Sequence, residues 1–155
     1  MSTVELVPAG LVHAELLAGM HKICFAQPWS VASMAEVLTM PGAEGLIAVD
    51  GGSMTPTAEP PGPAGLVLWR QVLDEAEILT ISVLPPWRRH GLGRRLLQAA
   101  LEASRTAGAA SMFLEVAADN HPALALYGRM GFHEIGLRKG YYGGIDAVAM
   151  HLELA

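Results

Sequence analysis

The run Arg88-Arg89-His90-Gly91-Leu92-Gly93 constrains this chain more than any other. Before it, residues 76–83 form an apolar, β-prone stretch. Pro85-Pro86 closes that stretch, since proline cannot continue a central ladder. After it, residues 91–107 place Leu92, Leu96, Leu97, Ala100 and Leu101 on one helical stripe, with Arg94, Arg95, Gln98, Glu102 and Arg105 off it. Gly108 stands where a C′ glycine belongs. A strand feeding a helix through a glycine turn commits the chain to packed α and β elements. The same junction predicts an anion site. A helix N-terminus offers unpaired N–H groups and the positive end of a dipole. Glycines admit a ligand close to the backbone, and arginines add bidentate donors. The combination suits a pyrophosphate, although neither a Walker loop nor a dinucleotide GxGxxG is present. The alternative is a solvated helix start whose arginines serve solubility.

The remaining elements follow from period and punctuation. Residues 3–7 read as a short strand, and Pro8 opens a helical stretch with Leu11, Val12, Leu16, Met20 and Ile23 at helical spacing, weakened by Gly19. Ser30 caps a second helix reaching about residue 39, which Pro41-Gly42 ends. Strands are expected at 46–50, 65–70 and 76–83. Between the first two lies a flexible Pro/Gly loop, residues 51–63. Residues 111–117 are an apolar strand carrying Glu115. Asn120 caps a helix with Pro122 just inside it. Residues 132–138 and 145–154 complete the set, the latter alternating cleanly. The order β-α-α-β-β-β-α-β-α-β-β implies a single α/β domain over residues 1–155 with a mixed, partly antiparallel sheet.

Charge narrows the partners. Ten basic and fifteen acidic residues give a net −5, and residues 1–70 hold only Lys22 and Arg70 against six acids. Arg88, Arg89, Arg94 and Arg95 fall within eight positions. One tight cluster in an acidic chain fits a small polyanion better than a nucleic-acid surface. No apolar run approaches the ~18 residues of a membrane span, and no secretory signal is visible, so the expected compartment is the cytosol. The single cysteine, Cys24, excludes an internal disulfide framework and reads as a buried small residue. Six histidines show neither HxH nor HExxH spacing, so no metal is expected.

Arg88-x-x-Gly91-x-Gly93 resembles the Q/R-x-x-G-x-G/A signature of the GNAT acetyltransferases. Leu73-Asp74-Glu75-Ala76, Leu114-Glu115-Val116, Asn120, Ala125-Leu126-Tyr127, Met130-Gly131-Phe132 and Tyr141-Tyr142 follow the order of the RimI-like, ribosomal-protein alanine N-acetyltransferase branch. Pro28-Trp29-Ser30 resembles that branch's segment between its first helices. The resemblance implies a GNAT fold: a twisted mixed sheet of about seven strands with about four helices. It implies acetyl-CoA as co-substrate, held by Arg88, Arg89, His90, Gly91, Leu92, Gly93 and Arg94 at the phosphates. Ile81, Ser82 and Val83 would lie along the pantetheine, with a backbone N–H at the thioester oxygen. Departures are the long 51–63 loop, the short Gly143-Gly144 link, and Leu84 where the branch often has an acidic residue.

Transfer from a thioester to an amine needs a neutral amine, a donor for the oxyanion and a proton for the thiolate. Glu115 is the base candidate, because a carboxylate inside an apolar strand is unexpected unless it faces a cleft. An exposed strand face is the alternative. By resemblance Tyr127 is the acid, although on pattern alone it can be core. Asn120 either caps its helix or contacts the CoA arm. Trp29, Tyr141 and Tyr142 are core aromatics or, by resemblance, border the peptide groove. The expected partner is a protein N-terminus, specifically the N-terminal alanine of a small-subunit ribosomal protein, with no nucleic acid and no membrane. A lysine or small-amine acceptor, and a non-catalytic acetyl-CoA-binding module, are the alternatives.

Overall fold

The structure, a computed structural model, describes residues 4–57 and 59–154. Its strands are β1 (Glu5–Pro8), β2 (Ala43–Asp50), β3 (Gly62–Val72), β4 (Glu75–Val83), β5 (Ser111–Ala117), β6 (His133–Tyr142) and β7 (Ile145–Glu153). The helices are α1 (Ala14–Cys24), α2 (Val31–Leu38), α3 (Leu92–Thr106) and α4 (His121–Arg129), with single 3₁₀ turns at Leu11–His13 and Pro85–Trp87. One seven-stranded sheet runs β1-β2-β3-β4-β5-β7-β6. Only the β4–β5 pair is parallel.

β3 is buried on both faces over residues 62–69, as a strand covered on two sides must be. α1 and α3 supply the cover, each packing on β3 and β4. β5 alternates cleanly. Met112, Leu114 and Val116 enter the core, while Ser111, Phe113, Glu115 and Ala117 stay half exposed. No helix among the described residues is long and apolar enough to cross a membrane.

Several boundaries differ from the sequence expectation. The first strand is Glu5–Pro8, and Thr3 lies outside the described residues. Pro8 ends this strand instead of opening a helix. It pairs with Leu46 on an edge strand, where a missing N–H is tolerated. Leu11 and Val12 are 54% and 88% exposed. They sit in a 3₁₀ turn, whose three-residue period puts them out of phase with the buried Leu16, Leu17 and Met20 of α1. β3 begins at Gly62, three residues early. A register shift passes from Ala48↔Gly65 to Val49↔Pro63, and the bulge accommodates a fully buried Pro63. Gly19 also gains a reason. A Cβ there would lie 2.5 Å from Cγ of Pro56, so the glycine lets the β2–β3 loop rest on α1. Leu84 is fully buried, which accounts for an apolar residue there. β6 runs to Tyr142, because Gly143-Gly144, both at positive φ, make a two-residue hairpin turn.

Candidate active site

The site begins where β4 and β5 part. Their parallel ladder covers only Glu75–Glu77 against Ser111–Phe113. The β3–β4 register passes from Trp69↔Ile78 to Leu68↔Thr80, leaving Leu79 as an extra residue. Such a bulge bends the strand and increases its twist. Past it the two strands diverge and leave inward-facing backbone groups outside the β4–β5 ladder. An open cleft of about 830 Å3 fills the gap. It brings together Glu115, Tyr127, Trp29, Tyr141, Tyr142, Asn120 and Ile81. Its other charged walls are Glu77 and Asp119.

A second open cleft, about 250 Å3, lies between the start of α3 and the end of α4. Gly91, Gly93 and Arg94 line it together with Leu126, Arg129 and Met130. Gly91 is the α3 N-cap at φ +79°, a left-handed conformation that costs a glycine little. A Cβ at Gly93 would stand 3.6 Å from Leu126 and 3.7 Å from Val83, so this backbone forms part of the cleft wall. Arg129 was not singled out from sequence. Leu126, Arg129 and Met130 at i, i+3 and i+4 share one face of α4, and that spacing was the available signal.

Other expected cofactor residues fall outside both linings. Leu92 is buried, so only its backbone can serve a ligand at the helix start. The exposed Arg88 donates from Nε to the Val83 carbonyl at 2.7 Å, pinning the loop to the end of β4. Arg89 and His90 are exposed, with Arg89 at φ +66°. The Ser82 hydroxyl is buried and has no hydrogen-bond partner among the described residues. Arg95 belongs elsewhere, donating to the Val4 carbonyl at 2.7 Å. Trp87 anchors the loop from behind, its indole N–H donating to Asp50 Oδ2 at 2.8 Å.

Glu115 carries a partner that the sequence did not announce. Arg138 donates from Nε to Oε2 at 2.7 Å and from Nη2 to Oε1. The guanidinium lies over the Tyr141 ring, 3.8 Å from its centroid, and Tyr142 packs edge-on against Tyr141. The fork orients the Glu115 carboxyl group, and each oxygen keeps lone-pair capacity for a further donor. Glu77 is the second carboxyl here. Partial burial pushes its pKa up, and the Glu115 charge adds to the effect. Tyr127 is 6% exposed, and burial pushes its phenol up to about 12, with Tyr142 contributing. It therefore holds its proton throughout the physiological range. Asn120 accepts the Ala123 N–H at 3.2 Å, so it caps α4 while also lining the cleft.

His21 closes the floor. Its ring is 3% exposed, and burial lowers its pKa to about 4. The folded state holds it neutral, so its contribution to stability is complete above pH 6.5 and is lost as pH falls toward 4. That loss should reach about 3 kcal/mol. Urea unfolding of wild type and His21→Asn at pH 7 and pH 4.5 reads it. Equal acid losses in both proteins would assign the effect to other groups.

Residues 15–132 match the Acetyltransferase (GNAT) family. The [ribosomal protein bS18]-alanine N-acetyltransferase of Escherichia coli K12 is 40% identical over 96 residues, 59% of this chain and 65% of that protein. The chain thus spans just under two thirds of that relative. The N-alpha-acetyltransferase RimI of Mycobacterium tuberculosis is 38% identical over 126 residues, 79% of this chain and 74% of that protein. Among solved structures, the ribosomal-protein-S18-alanine N-acetyltransferase from Escherichia coli superposes with a TM-score of 0.87 at 28% identity, covering 99% of this chain and 95% of that one. Arabidopsis thaliana NAA60 in complex with acetyl-CoA shares the fold, with a TM-score of 0.83 at 20% identity over 97% and 98% of the two chains. With the family match covering most of its length and the parted β4 and β5 leading to a glycine-started helix, the chain belongs to the GNAT acetyltransferase family.

Proposed function

We propose that this protein transfers the acetyl group of acetyl-CoA to the α-amine of a protein N-terminus, with the N-terminal alanine of a small-subunit ribosomal protein as first candidate. One observation carries the reading: two clefts of opposite character flank α4. The smaller has Arg94, Arg129 and a glycine helix start; the larger has three carboxylates and five aromatic side chains, with one cation, Arg138, paired to Glu115 behind its lining. An anionic donor tail and a cationic acceptor are the complementary pair. The relatives named as bS18-alanine N-acetyltransferases support the same acceptor. The cytosol, where ribosomal proteins are made, is the implied compartment.

The residues fit acetyl-CoA, which supplies an activated acyl thioester. Gly91, Gly93, Arg94 and Arg129 would hold its phosphates, with Arg88, Arg89 and His90 at the rim. The β4 edge at Ile81, Ser82 and Val83, which lies beyond the β4–β5 ladder, would hold the pantetheine and donate an N–H where the oxyanion develops. Asn120 would border the same arm. Glu115 takes a proton from the acceptor ammonium, directly or through one water. Tyr127 holds the proton destined for the leaving sulfur. Trp29, Tyr141 and Tyr142 frame the acceptor. A second reading, acylation of a lysine or a small amine, draws on the two-residue Gly143-Gly144 turn, a short frame for the acceptor end of the cleft.

The test is acetyl-CoA turnover against peptides beginning with Ala, Ser or Met, with N-terminally blocked peptides carrying an internal Lys as controls, read by mass spectrometry. Acetylation confined to lysine would favour the second reading, and no transfer to any amine would reduce the protein to a binding module. The net charge of −5 adds an expectation. For a basic peptide, kcat/KM should fall as salt shortens the Debye length below ~8 Å. A flat response would assign the acidic surface to solubility alone.

A further inference from the structure

His21 lies at the end of α1, outside the set of groups that move protons or touch phosphate. Both its ring nitrogens are engaged. Nδ1 accepts the backbone N–H of Trp29 at 3.0 Å. Nε2 lies 2.9 Å from the Thr80 hydroxyl on β4, just past the bulge. Because Nδ1 accepts, the ring proton of the neutral imidazole sits on Nε2 and points to Thr80. The ring also packs, tilted, against Phe25 and Trp29, with centroids 4.2 and 5.0 Å away. The segment between α1 and α2 has no place in the sheet's hydrogen-bond ladders. His21 thus links the segment carrying Phe25 and Trp29 to the diverging half of β4.

We infer that His21 is a positioning residue for the acceptor: its neutral, Nε2-protonated ring fixes Trp29 and the α1–α2 segment against β4 and so sets the wall that the incoming N-terminus meets. This deepens the acetyl-transfer reading and rests on it. An ordinary core histidine would contribute stability alone. A positioning histidine acts on the acceptor's KM and is separable by nitrogen, because Asn carries an acceptor near the Nδ1 position and Gln carries an amide near Nε2.

The experiment compares wild type, His21→Asn and His21→Gln for steady-state turnover of acetyl-CoA with an Ala-starting peptide. It adds amide hydrogen exchange of Trp29 in all three. His21→Gln should raise the peptide KM about fivefold to tenfold, the worth of one buried hydrogen bond. It should leave kcat and the KM for acetyl-CoA near wild type. His21→Asn should rescue the peptide KM. Trp29 exchange should be protected in wild type and in His21→Asn, and at least about fivefold faster in His21→Gln. Equal KM effects in the two variants, or a rise shared by both substrates, would overturn the positioning role. Failure of wild type to acetylate any peptide would sink the acetyl-transfer reading. The exchange data still decide whether the ring holds Trp29, and fast exchange at Trp29 in wild type overturns the inference by itself.

Discussion

Glu115→Gln is expected to lower kcat for an Ala-starting peptide by about 10²–10⁴-fold, the usual contribution of a positioned general base. The exchange is nearly isosteric, so binding of acetyl-CoA at the far cleft should be unaffected. Folding should also survive, because Arg138 is about half exposed and can return to water. The ion pair makes a sharper version available. The bidentate guanidinium fixes the orientation of the Glu115 carboxylate. Arg138→Gln removes that cation. The carboxylate then loses the fork that orients it, so kcat for the Ala-starting peptide should fall while acetyl-CoA binding holds. Arg138→Gln also removes the cation over Tyr141, so the peptide KM should be followed in parallel. Unchanged turnover in Glu115→Gln would remove Glu115 from the base role. The group to examine next would be Glu77, the neighbouring carboxyl already pushed up by burial.

Tyr127→Phe deletes one oxygen and is expected to lower kcat by about 10²-fold, with smaller change in either KM. The phenol suits an acid, since burial raises its pKa to about 12 and keeps it protonated at working pH. The pH-rate profile should therefore carry no alkaline limb from Tyr127 below about pH 11. Stability gives an independent reading. The native phenol titrates above the unfolded value of 10, so its contribution is complete below pH 10 and is lost as pH rises from 10 toward 12. Wild type should lose stability across that window, and Tyr127→Phe should be flatter. Full activity in the Phe variant would leave Tyr127 as a core aromatic packed on Phe132.

Period and punctuation made much of this legible in the sequence. The amphipathic stripe of α3, the alternation of β5 and the capping residues Ser30 and Asn120 are local signals, and each appears where it was expected. What escaped depends on register. Arg138 reaches Glu115 across 23 residues because β7 lies between their strands, pairing Ala149 with Glu115 and Ala147 with Arg138. No spacing along the chain encodes that meeting. His21 looks like the polar end of an ordinary helix until the bulge at Leu79 sets Thr80 opposite it. Arg95 shows the converse. Adjacent to Arg94 in sequence, it turns about 100° around the helix and serves Val4 instead of the cleft that Arg94 lines.

The strand order β5-β7-β6 also bears on how the molecule is made. β6 is synthesised before β7, yet its only neighbour in the sheet is β7. During vectorial synthesis β6 therefore has no edge to join until the later strand has emerged and docked on β5. Arg138, Tyr141 and Tyr142 ride on β6, which pairs with β7 as a local hairpin, so that wall of the cleft reaches Glu115 only through the β5–β7 pairing, which joins residues 30 to 42 positions apart, from Ala117↔Ala147 to Ser111↔Glu153. The cleft proposed for the CoA phosphates, built on α3 and α4, lies wholly in chain made before β6. On the proposed reading, a nascent chain would complete its donor cleft before its acceptor wall.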